Sequence, residues 1–127
     1  VVNEAARVVK PGGYVAFTDW VALDDMDPDY LAAVQAAIAA ANYATPDQYL
    51  NWLESAGCSI LESKDISHHF AARYQTMMAN LSDLEETISE QFSPRVFAIM
   101  QEKNTSILHA FEDGKMGGWQ FIAKTTG

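Results

Sequence analysis

The chain has 127 residues, 49% hydrophobic and 20% charged, a single domain's length and enough to bury roughly two-thirds of its unfolded surface. Six Phe, five Tyr and three Trp need a core to pack in, which excludes disorder, and the longest low-charge stretch, residues 30–44, is broken by Gln35 and Asn42 and falls short of a bilayer span. Eight Lys and Arg against 17 Asp and Glu leave a net charge of −9, which repels phosphate backbones and argues against nucleic-acid binding.

The lone Cys58 cannot form an internal disulfide, and no signal peptide opens the chain, so the cytoplasm is the expected compartment. The chain starts without methionine and already at helical spacing, as though entered partway along. No repeat, linker or low-complexity tract divides it, so residues 1–127 read as a single domain.

Val1, Val2, Ala5, Ala6, Val8 and Val9 space like the tail of an amphipathic helix. Lys10-Pro11-Gly12-Gly13 ends it, with both glycines expected at positive φ in a tight turn. Residues 14–20 form a first strand, whose nearly continuous apolar run predicts cover on both faces. After the acidic loop 24–29, Pro28 opens a helix to about residue 41, with Leu31, Val34 and Ile38 on one face. Thr45-Pro46-Asp47-Gln48 is a capping box, followed by the apolar face of Tyr49, Leu50, Trp52, Leu53 and Ala56, and Gly57 is a left-handed stop.

Residues 58–66 read as a second strand and 67–80 as a helix. Ser82-Asp83-Leu84-Glu85 has the form of another capping box, and Ser93-Pro94 caps a helix to about residue 111, ended by Gly114. Residues 116–125 alternate as a third strand. The class is α/β, with three strands and about six helices.

The run VVNEAARVVKPGGYVAFTDW resembles the helix, Lys-Pro-Gly-Gly turn and fifth strand of class I S-adenosylmethionine-dependent methyltransferases, a Rossmann-like family. Asp65-Ile66-Ser67-His68-His69-Phe70 with Tyr74, and Gly118-Trp119-Gln120-Phe121, look more like one branch, the small-amine N-methyltransferases acting on sarcosine and dimethylglycine. That resemblance implies the C-terminal half of the fold. Its sheet would be mixed, ordered first-third-second with the third strand antiparallel in the middle. Residues 21–44 and 67–113 would be helical lid or insertions. The family's Asp/Glu-x-Gly-x-Gly turn is missing, since Gly12-Gly13 lies between helix and strand instead of strand and helix. The resemblance therefore implies S-adenosylmethionine as cofactor of a full-length protein, with no cofactor-binding residue here and no activity of this portion alone.

Methyl transfer from a sulfonium needs alignment more than proton shuttling. A methylated ammonium acceptor suits aromatic faces, and a carboxylated one an arginine fork, for which Arg7, Arg73 and Arg95 are available. Asp19 and Trp20 end the first strand, where open α/β sheets bind ligands. The plainer reading makes Asp19 a loop cap and Trp20 core. His69 and Tyr74 face substrate if the resemblance holds, with Arg73 beside them for a carboxylate. Otherwise the histidines are solvated and Arg73 pairs on the surface.

A metal site is not expected, because adjacent His68 and His69 point apart and His109 is remote. The acidic loop lacks the glycine and glutamate of a calcium loop and reads as a solvated lid. Met77, Met78 and Met100 read as core filling, and Cys58 as an inert packed thiol. The expected partner is a small-molecule methyl acceptor, with neither nucleic acid nor membrane. A homo-oligomer would cover the free edge of the strand that begins at Tyr14 and ends at Trp20, or the helix from Val1 to Val9. The alternative is a non-catalytic α/β module that binds a small ligand or self-associates.

Overall fold

The computed structural model describes residues 1–39 and 43–126. Its elements run α1 (Val2–Val8), β1 (Tyr14–Ala22), α2 (Pro28–Ile38), α3 (Pro46–Ser55), β2 (Cys58–Asp65), α4 (Ser67–Asp83), α5 (Glu85–Gln91), α6 (Pro94–Glu112) and β3 (Met116–Thr125). They form two compact units. The first comprises the described residues of Val1–Leu23, Tyr43–Ser67 and Met116–Gly127, the second those of Asp24–Asn42 and His68–Lys115.

The first unit is the sheet, ordered β1-β3-β2, with β3 antiparallel to both neighbours. This is the expected arrangement, and it makes β1 and β2 parallel to each other. β1 pairs with β3 from Tyr14↔Lys124 to Ala22↔Met116, and the β2 register shifts at a bulge between Ile60 and Glu62. The extra residue exposes Leu61, which stands 56% accessible.

The core joins Val2 and Ala6 of α1, Val15 and Val21 of β1, Leu53 of α3, Cys58 of β2, and Phe121 and Ala123 of β3. Burial alternates along β1, with Val15 and Val21 inside and Tyr14, Ala16 and Thr18 exposed. The expected cover on both faces is therefore absent within this unit, where α1 and α3 cover one face only. The strand also runs two residues beyond Trp20, because the Ala22 N–H finds the Ala44 carbonyl at 3.0 Å.

Only Gly12 of the glycine pair has positive φ, at 76°. Gly13 is needed for space: a Cβ there would lie 2.6 Å from Val9 Cγ1 and 2.9 Å from the Lys10 carbonyl oxygen. The Gly13 N–H closes the turn on that carbonyl at 2.8 Å. Gly57 and Gly114 both adopt left-handed φ, ending α3 and following α6.

The Thr45 capping box of α3 forms on both sides, with Gln48 N–H donating to Thr45 Oγ1 at 3.2 Å and Thr45 N–H to Gln48 Oε1 at 2.9 Å. Ser93 likewise accepts the Val96 N–H. The box expected at residues 82–85 does not form. α4 continues through Ser82 to Asp83, and Leu84 becomes the uncapped start of α5.

In the second unit α2 and α5 pack on α6. Val34 of α2 and Phe97, Ile107, Ala110 and Phe111 of α6 are buried. Met77 and Met100, expected in the core, stand 37% and 39% exposed, because their positions fall outside the buried stripes of α4 and α6. Described α2 ends at Ile38 with Ala39 left-handed, and the expected extension to about residue 41 lies outside the described residues. Asp27 caps α2, and Lys115 Nζ holds the acidic loop through Asp24 Oδ2 and the Asp25 carbonyl, both at 2.9 Å.

Candidate functional site

Asp19 sits near the carboxyl end of β1, on the face that α1 and α3 cover. Its Oδ1 accepts the Trp20 N–H at 2.8 Å, and its Oδ2 accepts the Tyr49 hydroxyl. The plainer expectation of a loop cap is thus replaced by a carboxylate locked from both sides. Tyr49 arrives there because the Thr45 capping box and Pro46 fix the start of α3, which places it at the fourth helical position.

The Tyr49 ring packs at 5.4 Å from Phe17 and 5.1 Å from Phe121, and edge-on to Trp52 at 5.3 Å and 83°. Burial, then the hydrogen bond and negative charge of Asp19, push the Tyr49 hydroxyl well above the ordinary tyrosine value. Two grooves meet at this ring. One of about 360 Å³ runs along β1 past Phe17, Thr18 and Asp19, and one of about 350 Å³ is lined by Val1, Asn3, Tyr49 and Trp52.

Tyr49 and Phe17 were not singled out by sequence reasoning, which read Tyr49 as one apolar position of a helix. The available signal was its hydroxyl: a tyrosine on the buried face of a helix needs a partner.

His69, Arg73 and Tyr74 all lie on α4, in the second unit, whereas Asp19 and Trp20 belong to the first. His69 and Arg73 are exposed. Tyr74 is buried, stacked on Phe111 at 5.8 Å, and burial raises its hydroxyl pKa. The His68 and His69 rings do not point apart; their centroids lie 3.9 Å from each other at 39°. Among the described residues no group of three or more His, Cys, Asp or Glu is placed to hold a metal ion.

A nucleotide cofactor would need a glycine turn leading from a strand into a helix. Among the described residues Gly12, Gly13, Gly57 and Gly114 all lead from helix to strand, and Gly117 and Gly118 lie within β3. The residues present therefore do not fit the cofactor's cradle.

The raised hydroxyl of Tyr49 has a consequence for stability. Neutral tyrosine is favoured in the folded state, so its contribution is whole below the unfolded value of about 10 and is lost as pH rises beyond it. Tyr30, pushed up to about 12 by burial and its bond to Asp113, adds to the same loss. Urea midpoints are expected to fall above about pH 10, and Tyr49→Phe is expected to make that fall shallower. An unchanged alkaline slope in the variant would show that Tyr49 ionises freely.

No protein-family model matches the chain. It is 29% identical over 102 residues to dimethylglycine N-methyltransferase of Parasynechococcus marenigrum (strain WH8102), covering 76% of this chain and 36% of that protein. A solved candidate sarcosine dimethylglycine methyltransferase from Galdieria sulphuraria superposes with a TM-score of 0.86 at 21% identity, over 98% of this chain and 46% of that one. The cyclopropane synthase MmaA2 of Mycobacterium tuberculosis gives 0.85 at 14% identity, over 98% and 48%. Phosphoethanolamine N-methyltransferase 2 of Haemonchus contortus, solved with phosphomonomethylethanolamine and S-adenosylhomocysteine, gives 0.85 at 16%, over 99% and 29%. The chain thus spans less than half the length of each of these relatives. It has the fold of one part of the class I methyltransferases, with the strand order that the resemblance implied and the helix number that the sequence pattern predicted.

Proposed function

We propose that the chain is the acceptor-side portion of an S-adenosylmethionine-dependent methyltransferase whose acceptor is a small amine. The observation that carries the proposal is sequence similarity to dimethylglycine N-methyltransferase on a backbone shared with the sarcosine dimethylglycine enzyme. Fold alone does not choose the acceptor, because cyclopropane synthases share it.

When bound, the cofactor supplies an electrophilic methyl group. The part left to these residues is to hold the acceptor in line. Asp19 and Trp20 stand near the carboxyl end of β1, two to three residues before it stops, in the region where such sheets bind ligands, and Asp19 is fixed by two hydrogen bonds. On α4, in the second unit, His69 and Arg73 are exposed and chemically suited to a carboxylate, while Tyr74 is buried. Of the segments expected as lid or insertions, residues 21 and 22 end β1 and Ala44 bonds to it, so the insertion role is left to α2 and to α4, α5 and α6 of the second unit. The cytoplasm, where an amine acceptor and the cofactor meet, is the compartment this proposal fits.

Calorimetric titration of the 127-residue chain with S-adenosylmethionine is expected to give no micromolar binding, since its glycines do not form a cradle. Micromolar binding would overturn the division into cofactor and acceptor sides. The coding region upstream of Val1 is expected to encode a Gly-x-Gly turn after a strand. The polypeptide that includes it is expected to methylate sarcosine or dimethylglycine, and failure on both would overturn the amine acceptor.

A further inference from the structure

We propose that the N-terminal half of α6 is a docking face for a second copy of this chain. The two α6 helices pack antiparallel, and Arg95 of each pairs with Glu102 of the other. The face lies wholly within the second unit, on a helix that the proposed chemistry does not use.

Val96, Ile99, Lys103, Ile107 and Ala110 recur at helical spacing and form one row along α6. Its C-terminal end is covered, with Ile107 and Ala110 buried. There α2 packs on α6, and the Tyr30 hydroxyl donates to Asp113 Oδ2 at 3.0 Å, which sets the first turn of α2 at the last turn of α6. α2 has 11 residues and α6 has 19, about 16 and 28 Å of helix, so α2 stops short of the row's other end. At that end Val96 and Ile99 stand 37% and 41% exposed, with Met100 beside them at 39%. Phe97 in the same turn is buried, so the exposure belongs to one side of a packed helix and not to a frayed end.

The charges beside this bare row select the occupant. The chain carries −9, yet residues 94–103 hold Arg95 and Lys103 against Glu102 alone. Two acidic copies therefore meet least repulsion here. Arg95 and Glu102 lie seven residues apart, two turns and about 10 Å, so they share one flank of the row. Both are exposed, and among the described residues neither joins an ion pair. A two-fold axis that reverses the helix direction sets each flank against the same flank of the partner. With the axis midway between Arg95 and Glu102, both ion pairs form at once and the two Ile99 side chains meet beside it. A basic partner would suit Glu102 and oppose Arg95 and Lys103, and an acidic one would do the reverse. A copy of the chain satisfies both signs.

One helix face is small beside the roughly 800 Å² per partner of a stable complex, so the dimer is expected to be weak, with a dissociation constant on the order of 100 µM. The free edge of β1 is a separate route to association. The two routes are read apart, the α6 contact in chains carrying Ala16→Pro and the β1 edge in chains carrying Ile99→Asp.

The test is sedimentation equilibrium of the 127-residue chain, with far-ultraviolet circular dichroism to check that each variant folds. Ile99→Asp is expected to abolish the dimer. Arg95→Glu and Glu102→Arg are each expected to weaken it at least about tenfold, because each sets like charges opposite one another. An equimolar mixture of these two variants is expected to regain it, since in the mixed dimer opposite charges face again at both contacts. Should Ala16→Pro fail to fold, the charge variants decide by themselves, because neither residue lies on β1. A chain that stays monomeric up to about 1 mM would overturn the proposal. So would association that Ile99→Asp leaves intact, or a mixture that associates no better than either variant alone.

Discussion

Phe121→Ala is expected to destabilise the sheet unit by about 3–5 kcal/mol, a large share of the roughly 5–15 kcal/mol that stabilises a typical domain. Phe121 is fully buried at the middle of the central strand. Its ring meets Phe17 of the edge strand at 5.1 Å and Tyr49 of α3 at 5.1 Å, so its removal leaves a cavity that three elements share. None can close it cheaply: β3 is held by ladders on both sides, and α3 is pinned at its start by the Thr45 capping box. Leu53 of α3, also fully buried, sits in the same core and loses support with it. The check is urea unfolding followed by tryptophan fluorescence, because Trp52 and Trp119 both report on the sheet unit. Phe92→Ala, at a position 71% exposed, serves as control and is expected to change stability by no more than about 0.5 kcal/mol. A loss below about 1 kcal/mol for Phe121→Ala would mean that the aromatic cluster is not what ties α3 to the sheet.

The same cluster marks where sequence reasoning reaches and where it stops. The Lys10-Pro11-Gly12-Gly13 turn, the Thr45 and Ser93 caps and the stop at Gly57 were legible because each is decided within a few residues. The order β1-β3-β2 is not a local property, and it came from resemblance to a family. The box at residues 82–85 failed because a serine in mid-helix needs only to stay helical, and nothing local forces α4 to end there. Cover on one face of β1 was missed because an apolar run carries no label for which side a helix will take. Asp19 and Trp20 were found through a positional rule about strand ends. Tyr49 was missed, since 30 residues separate it from Asp19 and only tertiary folding joins them. The separation of His69 from Tyr74 into exposed and buried positions follows from the helical turn between them.

At micromolar to millimolar concentration the chain is expected to associate through the outer edge of β1, and Ala16→Pro is expected to abolish that association. β1 is an edge strand of nine residues, with β3 on one side. The Thr125 N–H donates to the Gly13 carbonyl and the Gly12 N–H to the Thr125 carbonyl, at 2.9 and 3.1 Å. Carried along an antiparallel ladder, that alternation turns the odd-numbered residues of β1 toward β3 and the even-numbered ones outward. Two of the outward N–H groups are satisfied within the sheet unit: Trp20 by the Asp19 carboxylate and Ala22 by the Ala44 carbonyl. Among the described residues no partner is found for those of Tyr14, Ala16 and Thr18, which turn to the edge of β1 away from β3, beside an exposed Tyr14 ring. A segment of this kind is a template for a second copy, paired antiparallel to itself. Proline at residue 16 removes an outward donor and leaves the β3 ladder whole, which edge strands tolerate. Each copy carries a charge of −9, so repulsion opposes pairing at low salt and added salt is expected to strengthen it. Light scattering at rising concentration and salt reads the result, with hydrogen exchange at Val15 and Phe17 confirming that β1 still pairs with β3 in the variant. A monodisperse monomer throughout would show that three open donors are too few to recruit a partner. Association that survives Ala16→Pro would move the interface to α1.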